Sequence, residues 1–207
     1  KKYFKNLSVD SQEIVKLAEN DDLDKKFEVG RNLIEGRFDF PYDVQIGLRF
    51  LKRSIKSGNK NSLVYYIEML IKGDVVPKNH IKAKKLINTN FSKDDFLYSF
   101  LYAKLLKNEK HYSKSAEYLK KSMKFNISDS FYEYAQLIRK KRYNQSDSQY
   151  DFIKYYKKAI ELDNTKAMYK YGLYLINSKQ EEGIENEEEG INLVKLAADK
   201  GNAKAMF

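Results

Sequence analysis

The sequence contains no cysteine and no tryptophan, and only two prolines and nine glycines interrupt its 207 residues. The absence of cysteine excludes disulfides, thiolate metal sites and cysteine nucleophiles, and it fits a reducing compartment. With so few prolines and glycines, long helices are favoured over a β structure with many turns. No apolar run approaches the roughly 18–20 residues of a membrane-spanning helix, and no signal peptide is recognisable. We therefore expect a cytoplasmic protein without a membrane span.

Residues that carry out catalysis or bind metals are equally scarce. The two histidines, His80 and His111, show neither the His-x₃-His nor the His-Glu-x₂-His spacing of zinc sites. The segment from Gly30 to Gly36 lacks the Gly-Lys-Ser/Thr ending of a phosphate-binding loop. The acidic run 181–189 lacks the ligand spacing of a calcium loop. The sequence thus predicts a protein that is not an enzyme and that holds no cofactor or metal.

Basic residues outnumber acidic ones, and the excess is uneven along the chain. The formal net charge is +10, with +5 in residues 1–103, +8 in residues 104–158 and −3 in residues 159–207. Such a basic middle attracts acidic partners. A lysine-rich, solvated surface without a binding role accounts for the same charge equally well.

An internal repeat becomes visible when the chain is aligned with itself. A segment near the C-terminus, LVKLAADKGNAKAM (193–206), matches YYKKAIELDNTKAM (155–168) without gaps at an offset of 38. The match extends through the chain as a first series of anchor positions, spaced by 37, 36, 32 and 37 residues: Gly30, Ile67, Ala103, Ala135 and Gly172. A repeat of this length indicates an array of similar structural units.

A second series of anchor positions runs in parallel with the first, spaced by 36, 32, 37 and 38 residues: Gly47, Ala83, Ser115, Phe152 and Gly190. A bulky pair follows three and four residues after each of these positions, and a mostly small residue follows seven after. Offsets of three, four and seven lie on one face of a helix, so each unit is predicted to contain two amphipathic helices. Small residues let the paired helices approach closely, and a single unit cannot bury its apolar face without stacking on its neighbours.

These residues resemble the Sel-one-like repeat (SLR) family, whose units are longer relatives of tetratricopeptide (TPR) repeats. The resemblance covers about residues 24–207 and is carried by the following stretches: Val29-Gly30 with Gly36, Lys72-Gly73 with Lys82-Ala83, and Ala197-Ala198 with Gly201-Asn202 and Ala205. Repeats three and four lack the loop glycines. The resemblance implies an all-α fold, a right-handed α-solenoid of stacked antiparallel helix pairs. It also implies a scaffold or adaptor that binds other proteins and performs no chemistry itself.

The two series of anchor positions place the repeat boundaries. The five predicted repeats are 24–60, 61–95, 96–128, 129–164 and 165–202, with a second helix alone in 1–23 and the start of a sixth repeat in 203–207. We expect them to form one solenoid domain that belongs to a longer protein.

A candidate partner-binding face follows from the first helices. If the small anchor residue points into its own helix pair, the residues at offsets −6, −3, +1, +4 and +5 from it face the groove that first helices line in TPR-like arrays. Applied to repeats three to five, these offsets predict a basic ladder beside three aromatic rings: Lys104, Lys107, Arg139, Lys140 and Lys166 beside Phe100, Tyr132 and Tyr169. That surface suits an acidic peptide with one or two aromatic or aliphatic anchors.

The sequence therefore predicts a non-catalytic scaffold that binds partner proteins or peptides, acidic ones in particular, along its concave face. A first alternative is a basic solenoid that binds single-stranded nucleic acid, since tyrosines stack on bases and lysines follow phosphates. However, most tyrosines occupy the bulky core positions of the repeats. A second alternative is a regulatory repeat region attached to a catalytic domain, such as a kinase, outside this sequence.

Overall fold

The computed structural model describes residues 3–143, 151–178 and 187–206 of the chain. Within these ranges it contains eleven α-helices and no β-strand, which confirms the prediction of an all-α fold. The helices, in chain order, are α1 (Val9–Glu19), α2 (Leu23–Glu35), α3 (Val44–Lys56), α4 (Lys60–Lys72), α5 (His80–Asn90), α6 (Phe96–Asn108), α7 (Tyr112–Met123), α8 (Ser128–Arg139), α9 (Asp151–Glu161), α10 (Thr165–Asn177) and α11 (Glu187–Asp199).

The chain divides into two compact units, residues 1–89 and residues 90–207. In the first unit, α1 packs on α2, α2 on α3 and α3 on α4. In the second unit, each helix from α6 to α11 packs on the next one along the chain. Within each unit, short loops connect helices that pack on their sequence neighbours, which gives the stacked antiparallel helix pairs of an α-solenoid.

Helix pairs follow the predicted repeats. The pairs α2/α3, α4/α5, α6/α7, α8/α9 and α10/α11 start within one residue of the five predicted repeat boundaries. Residues 203–205 form a turn rather than a further helix, and Phe207, which the sixth repeat was predicted to include, lies outside the described residues. Of the helices that the structure describes, none is long and apolar enough to cross a bilayer.

The two series of small residues meet where paired helices touch. A Cβ atom added to Gly47 of α3 would lie 2.8 Å from the carbonyl oxygen of Gly30 in α2. In the last pair, a Cβ atom on Gly172 of α10 would lie 2.7 Å from the carbonyl oxygen of Gly190 in α11. The backbones approach more closely than a side chain permits, which confirms the packing role that the spacing predicted for these glycines.

Serine replaces alanine at some of the small positions and adds buried hydrogen bonds. Ser54 of α3 is fully buried, and its hydroxyl donates to the Leu23 carbonyl oxygen over 2.9 Å. The hydroxyl of Ser62 in α4 donates in turn to Ser54 Oγ over 2.7 Å. A similar pair forms in the second unit, where Ser122 Oγ of α7 and Ser130 Oγ of α8 are 2.6 Å apart. Each serine pair therefore joins a second helix to the first helix of the next repeat.

An asparagine at the repeat junction also joins neighbouring repeats. Asn164 caps α10, because its Oδ1 accepts from the backbone N–H of Ala167 over 2.9 Å. Its Nδ2 donates to Asp129 Oδ1, at the start of the preceding repeat, over 3.0 Å. In the first unit, Asn59 caps α4 and donates to Asp24 in the same way, over 2.8 Å. Both asparagines therefore act as N-caps, and each amide additionally links its repeat to the preceding one.

Replacement of Asn164 by alanine should lower the free energy of unfolding by about 1–2 kcal/mol, since it removes an N-cap and a hydrogen bond to a carboxylate. Chemical denaturation followed by circular dichroism measures the loss. Asn192, exposed on α11, is the control, because alanine there should be neutral or slightly stabilising. Equal effects of the two substitutions would contradict the linking role of Asn164.

Candidate partner-binding surface

The five predicted cations lie on the first helices of the last three pairs, all within residues 90–207. Lys104 and Lys107 are half-buried on α6, Arg139 and Lys140 are exposed at the end of α8, and Lys166 is exposed in the first turn of α10. We call the surface that they share the α6–α8–α10 surface. Ion pairs between these helices show that the three helices are adjacent.

Two carboxylates lie between the cations. Lys107 of α6 forms an ion pair with Glu133 Oε2 of α8. Lys166 Nζ of α10 lies 3.2 Å from Asp129 Oδ1 of α8. The Glu133 side chain is only 13 % exposed, so its charge is well shielded from solvent and its pairing with Lys107 is strengthened. The surface therefore holds carboxylates of its own in direct contact with two of the predicted cations.

Glu133 was missed because it lies two residues before its anchor Ala135, outside the five predicted offsets. The same repeat position makes a similar contact in the first unit. There, the hydroxyl of Tyr65, two residues before its anchor, donates to Glu35 Oε1 at the end of α2 over 2.8 Å. In both cases the offset −2 side chain reaches back to the +4 or +5 position of the preceding first helix. This position belongs to the surface between neighbouring first helices.

The charge state of Asp129 is set by its neighbours. Burial alone would raise the pKa of this carboxyl, but the charge of Lys166, the hydrogen bond from the Asn164 amide and the charge of Lys104 outweigh burial and lower the pKa. Asp129 is therefore ionised at neutral pH. It holds Lys166 and the junction asparagine together at the start of α8.

The three predicted aromatic residues differ in their exposure. Phe100 is only 6 % exposed and belongs to the core of residues 90–207, so its ring does not face solvent. Lys104 Nζ lies 5.1 Å from the centroid of that ring. Tyr132 and Tyr169 are half-buried, and burial, followed by the nearby charge of Glu133, raises the pKa of the Tyr132 hydroxyl. Two of the three rings thus remain accessible from the surface.

Buried polar groups fix the position of Arg139. Its guanidinium carbon lies 5.5 Å from the centroid of the Tyr174 ring, and the guanidinium also hydrogen-bonds the Tyr156 hydroxyl. Gln136 Nε2 donates to the same hydroxyl over 2.6 Å. A ring and a neutral hydroxyl orient the cation without neutralising its charge.

Further cations surround Lys140. Arg142, Lys107 and Lys170 all lie close enough to act on its ammonium group. Partial burial and then these three positive charges lower the pKa of Lys140. We call Lys107, Lys140, Arg142 and Lys170 the Lys140 cluster. Two of them were not predicted from the sequence, because Arg142 lies in the loop after α8 and Lys170 lies two residues before its anchor Gly172, an offset that was not assigned to the groove.

Each of the two histidines has a polar contact near its own place in the chain. His80 Nε2 is 3.2 Å from the Ile71 carbonyl oxygen, and His111 Nδ1 is 3.7 Å from Glu109 Oε2. Among the described residues, no three histidine, cysteine, aspartate or glutamate side chains cluster in a way that could hold a metal ion. Of the acidic run 181–189, residues 181–186 lie outside the described residues, and the other three form the first turn of α11.

Known structures of similar fold are Sel1 repeat proteins. A protective antigen of uropathogenic Escherichia coli strains with an SLR fold matches with a TM-score of 0.54 and 20% identity, over 95% of this chain and 42% of its own. A Sel1 repeat protein from Oxalobacter formigenes matches with a TM-score of 0.55 and 14% identity, over 89% and 76% of the two chains. A putative Sel1 repeat protein from Klebsiella pneumoniae matches with a TM-score of 0.58 and 12% identity, over 95% of both.

No protein-family model and no curated protein matches the sequence. The likeness is therefore one of fold: the chain has the Sel1-like repeat architecture, an all-α solenoid, as the sequence predicted. The chain spans less than half the length of the Escherichia coli antigen.

Proposed function

We propose that this protein is a non-catalytic scaffold that binds an acidic segment of a partner protein along the α6–α8–α10 surface. The observation that carries the proposal is the charge of that surface. Five cations from three adjacent helices share it with only two carboxylates that pair with them, Glu133 with Lys107 and Asp129 with Lys166. The cytoplasmic location remains a prediction from the cysteine-free sequence.

The two internal carboxylates indicate how an acidic segment would be bound. Glu133 is bound by Lys107, and Asp129 is bound by both Lys166 and the Asn164 amide. Each pair is a charge-assisted contact between side chains of neighbouring first helices. An extended segment with spaced acidic residues could pair in the same manner with Arg139 and Lys140, which are exposed at the end of α8.

Half-buried rings supply apolar contacts beside the cations. The ring centroids of Tyr132 and the buried Tyr156 are 6.3 Å apart. Lys170 Nζ lies 5.2 Å from the centroid of the Tyr169 ring. Such rings are held by packing and lose little entropy when a partner covers them. They provide positions for one or two aromatic or aliphatic side chains of the acidic segment.

Single-stranded nucleic acid is the second candidate, favoured by the positive charge. The burial of the tyrosines argues against it. Tyr134, Tyr156 and Tyr171 have 4%, 0% and 3% of their surface exposed, so their faces cannot stack on bases in the folded protein. A single-stranded RNA oligonucleotide should therefore bind more weakly than an acidic peptide at the same salt concentration.

Charge reversal tests the proposal. The variant Lys104→Glu/Lys107→Glu/Arg139→Glu/Lys140→Glu should lose at least about tenfold in affinity for a fluorescent peptide of glutamates with one tyrosine and one leucine, because attraction becomes repulsion. Fluorescence anisotropy at low salt measures the affinity. A peptide with glutamine in place of each glutamate should bind neither protein. Circular dichroism checks the fold, since Lys107→Glu places a second carboxylate opposite Glu133.

The matched control reverses four exposed lysines on or directly after α7 and α9: Lys114, Lys124, Lys154 and Lys157. It changes the net charge equally and should retain most of the affinity. Equal losses in both variants would mean that only overall charge attracts the peptide. Undiminished binding by the first variant would refute the proposed surface.

A further inference from the structure

Two arginines at the end of α2 share one carboxylate. Arg31 Nε donates to Glu35 Oε1 and Oε2 over 3.2 Å and 3.3 Å. Arg37, just after the helix, forms an ion pair through its Nε with Oε2 of the same carboxylate. Both Nε atoms contact Oε2, so the two guanidinium groups are neighbours. The Tyr65 hydroxyl of α4 donates to Glu35 Oε1 over 2.8 Å and holds the carboxylate in place.

This group of side chains has one positive charge in excess. In the part of the chain that the structure describes, no second carboxylate forms an ion pair with Arg31 or Arg37. The two residues of this unit that lie outside the described ranges, Lys1 and Lys2, carry no side-chain carboxylate. Two guanidinium charges and one carboxylate charge therefore attract an anion that carries a single charge.

The arginines also keep hydrogen-bond donors for a ligand. Glu35 takes up the Nε donor of each arginine, whereas the Nη groups of Arg31 and Arg37 donate to no atom of the described residues. The N–H donors of a guanidinium lie in one plane, in a geometry that suits the two oxygens of a carboxylate. The two side chains are 39% and 44% exposed, so a ligand can reach them.

Two aromatic rings lie beside the arginines. The guanidinium carbon of Arg31 is 5.9 Å from the centroid of the Tyr65 ring. The Phe27 ring packs edge-on against the Tyr65 ring, with the centroids 5.9 Å apart. Both rings are half-buried, so each offers part of its surface to an apolar group. Charge and apolar surface therefore lie next to each other.

We infer that these five residues, Phe27, Arg31, Glu35, Arg37 and Tyr65, form a binding site for a carboxylate that has an apolar side chain next to it. The ligand is an aspartate or glutamate adjacent to a leucine or phenylalanine within a segment of a partner protein. We call this the Glu35 site. It lies within residues 1–89 and goes beyond the proposed function, because it does not depend on the α6–α8–α10 surface.

Charge favours a carboxylate over a phosphate at the Glu35 site. One carboxylate balances the single excess charge, whereas a phosphomonoester, with about −1.5 to −2 charges, would leave negative charge beside Glu35. A nucleic-acid phosphodiester also carries one charge, but it places a polar sugar beside that charge rather than an apolar group. The partial exposure of Arg31 and Arg37 lets a chain continue past them, which favours an acidic residue within a segment over a chain terminus.

Four short glycine-serine peptides test the inference. Three are blocked at both ends and contain a central glutamate-leucine, glutamine-leucine or glutamate-serine pair, and the fourth has no glutamate and ends in leucine with a free carboxylate. NMR titration of the isotope-labelled protein at low salt measures their affinities. The glutamate-leucine peptide should bind about tenfold more tightly than the glutamine-leucine peptide, as expected for a charge-assisted contact. It should bind about threefold more tightly than the glutamate-serine peptide.

Variants locate the site. The variant Arg31→Gln/Arg37→Gln should reduce the advantage of glutamate over glutamine to less than about threefold. In the variant Arg31→Lys/Arg37→Lys, both positive charges remain beside Glu35 and preserve the fold, but lysine lacks the planar donors. The advantage should therefore fall by at least about twofold. The control Arg49→Gln/Arg53→Gln removes two exposed arginines from α3 and should keep the full advantage. Circular dichroism checks the fold of each variant.

The titrations are run on the protein in which Lys104, Lys107, Arg139 and Lys140 are all changed to glutamate. That protein has lost the proposed α6–α8–α10 surface, so binding to it reports on the Glu35 site alone. A failure of the proposed function would leave the expected results unchanged, and a failure of the Glu35 site would leave the proposed function standing.

Four outcomes would overturn the inference. Equal affinities of the glutamate-leucine and glutamine-leucine peptides would exclude a carboxylate site. An advantage that survives Arg31→Gln/Arg37→Gln would place the site elsewhere. Tighter binding of the peptide with the free terminal carboxylate would assign the site to a chain terminus. Tighter binding of a single-stranded RNA oligonucleotide, lost in Arg31→Gln/Arg37→Gln, would assign it to nucleic acid.

Discussion

Between pH 10 and pH 12, residues 90–207 should unfold cooperatively as their buried tyrosines ionise. Tyr134, Tyr156 and Tyr171 lie in one core cluster, and burial, the largest cause, raises the pKa of each hydroxyl from 10.0 to about 12. In the unfolded chain these groups lose their protons near pH 10, whereas the folded protein retains them. The stability they contribute is therefore complete below pH 10 and is lost as the pH rises towards 12.

The size of this effect is large for a small helical unit. For Tyr156, which is fully buried, a shift of about two pKa units corresponds to about 2.7 kcal/mol of unfolding free energy. The summed contribution of several such tyrosines approaches the whole unfolding free energy of a typical domain, which is about 5–15 kcal/mol. We therefore expect ionisation of the buried tyrosines to unfold these helices.

Circular dichroism and tyrosinate absorbance, recorded in one pH titration, check the prediction. Tyrosinate from the buried rings should form together with the loss of helix. Tyr42, 72% exposed, is the control, because Tyr42→Phe removes no buried ring and should leave the unfolding midpoint unchanged. Titration of every tyrosine near pH 10 in a protein that stays helical would contradict the burial of these rings.

Replacement of Gly172 by alanine should destabilise the last helix pair by about 2 kcal/mol, although alanine normally stabilises a helix interior by about 1 kcal/mol over glycine. The new methyl carbon would lie 2.7 Å from the Gly190 carbonyl oxygen and 2.9 Å from Val194 Cγ2. Because the nearest obstacle is backbone, α10 and α11 would have to separate. A loss of stability, where alanine usually adds stability, would therefore indicate the close contact between the two helices.

Urea denaturation of Gly172→Ala measures this cost. Gly30→Ala provides a comparison with a smaller expected effect. Its Cβ atom would lie 3.0 Å from the Gly47 carbonyl oxygen, so this substitution should lower the free energy of unfolding by less. A stabilised Gly172→Ala protein would show that the two helices are further apart than the structure has them.

The helix packing could be predicted from the sequence because the spacing of the glycines marks where paired helices touch. Gly30 with Gly47, and Gly172 with Gly190, were predicted as contact points from helical periodicity, and the close backbone contacts confirm them. Asn164 was likewise identifiable as a cap from its place before a helix. Its bond to the preceding repeat was not, since that contact depends on how repeats stack.

The candidate surface was predicted less completely. Phe100 and Lys107 both have offsets near the buried side of α6, yet a lysine extends its ammonium group to the surface whereas a phenyl ring stays in the core. Lys170 and Glu133 share the offset −2, whose role becomes visible only where first helices meet. Arg142 lies in a loop, where helical periodicity gives no direction.

The central claim is that the α6–α8–α10 surface binds the acidic segment, and lysine acetylation footprinting by mass spectrometry tests it most directly. With saturating glutamate peptide, the account predicts reduced labelling of the surface lysines Lys104, Lys140 and Lys166. It predicts unchanged labelling of Lys114, Lys124, Lys154 and Lys157. Protection confined to this second set, or to residues 1–89, would contradict the claim.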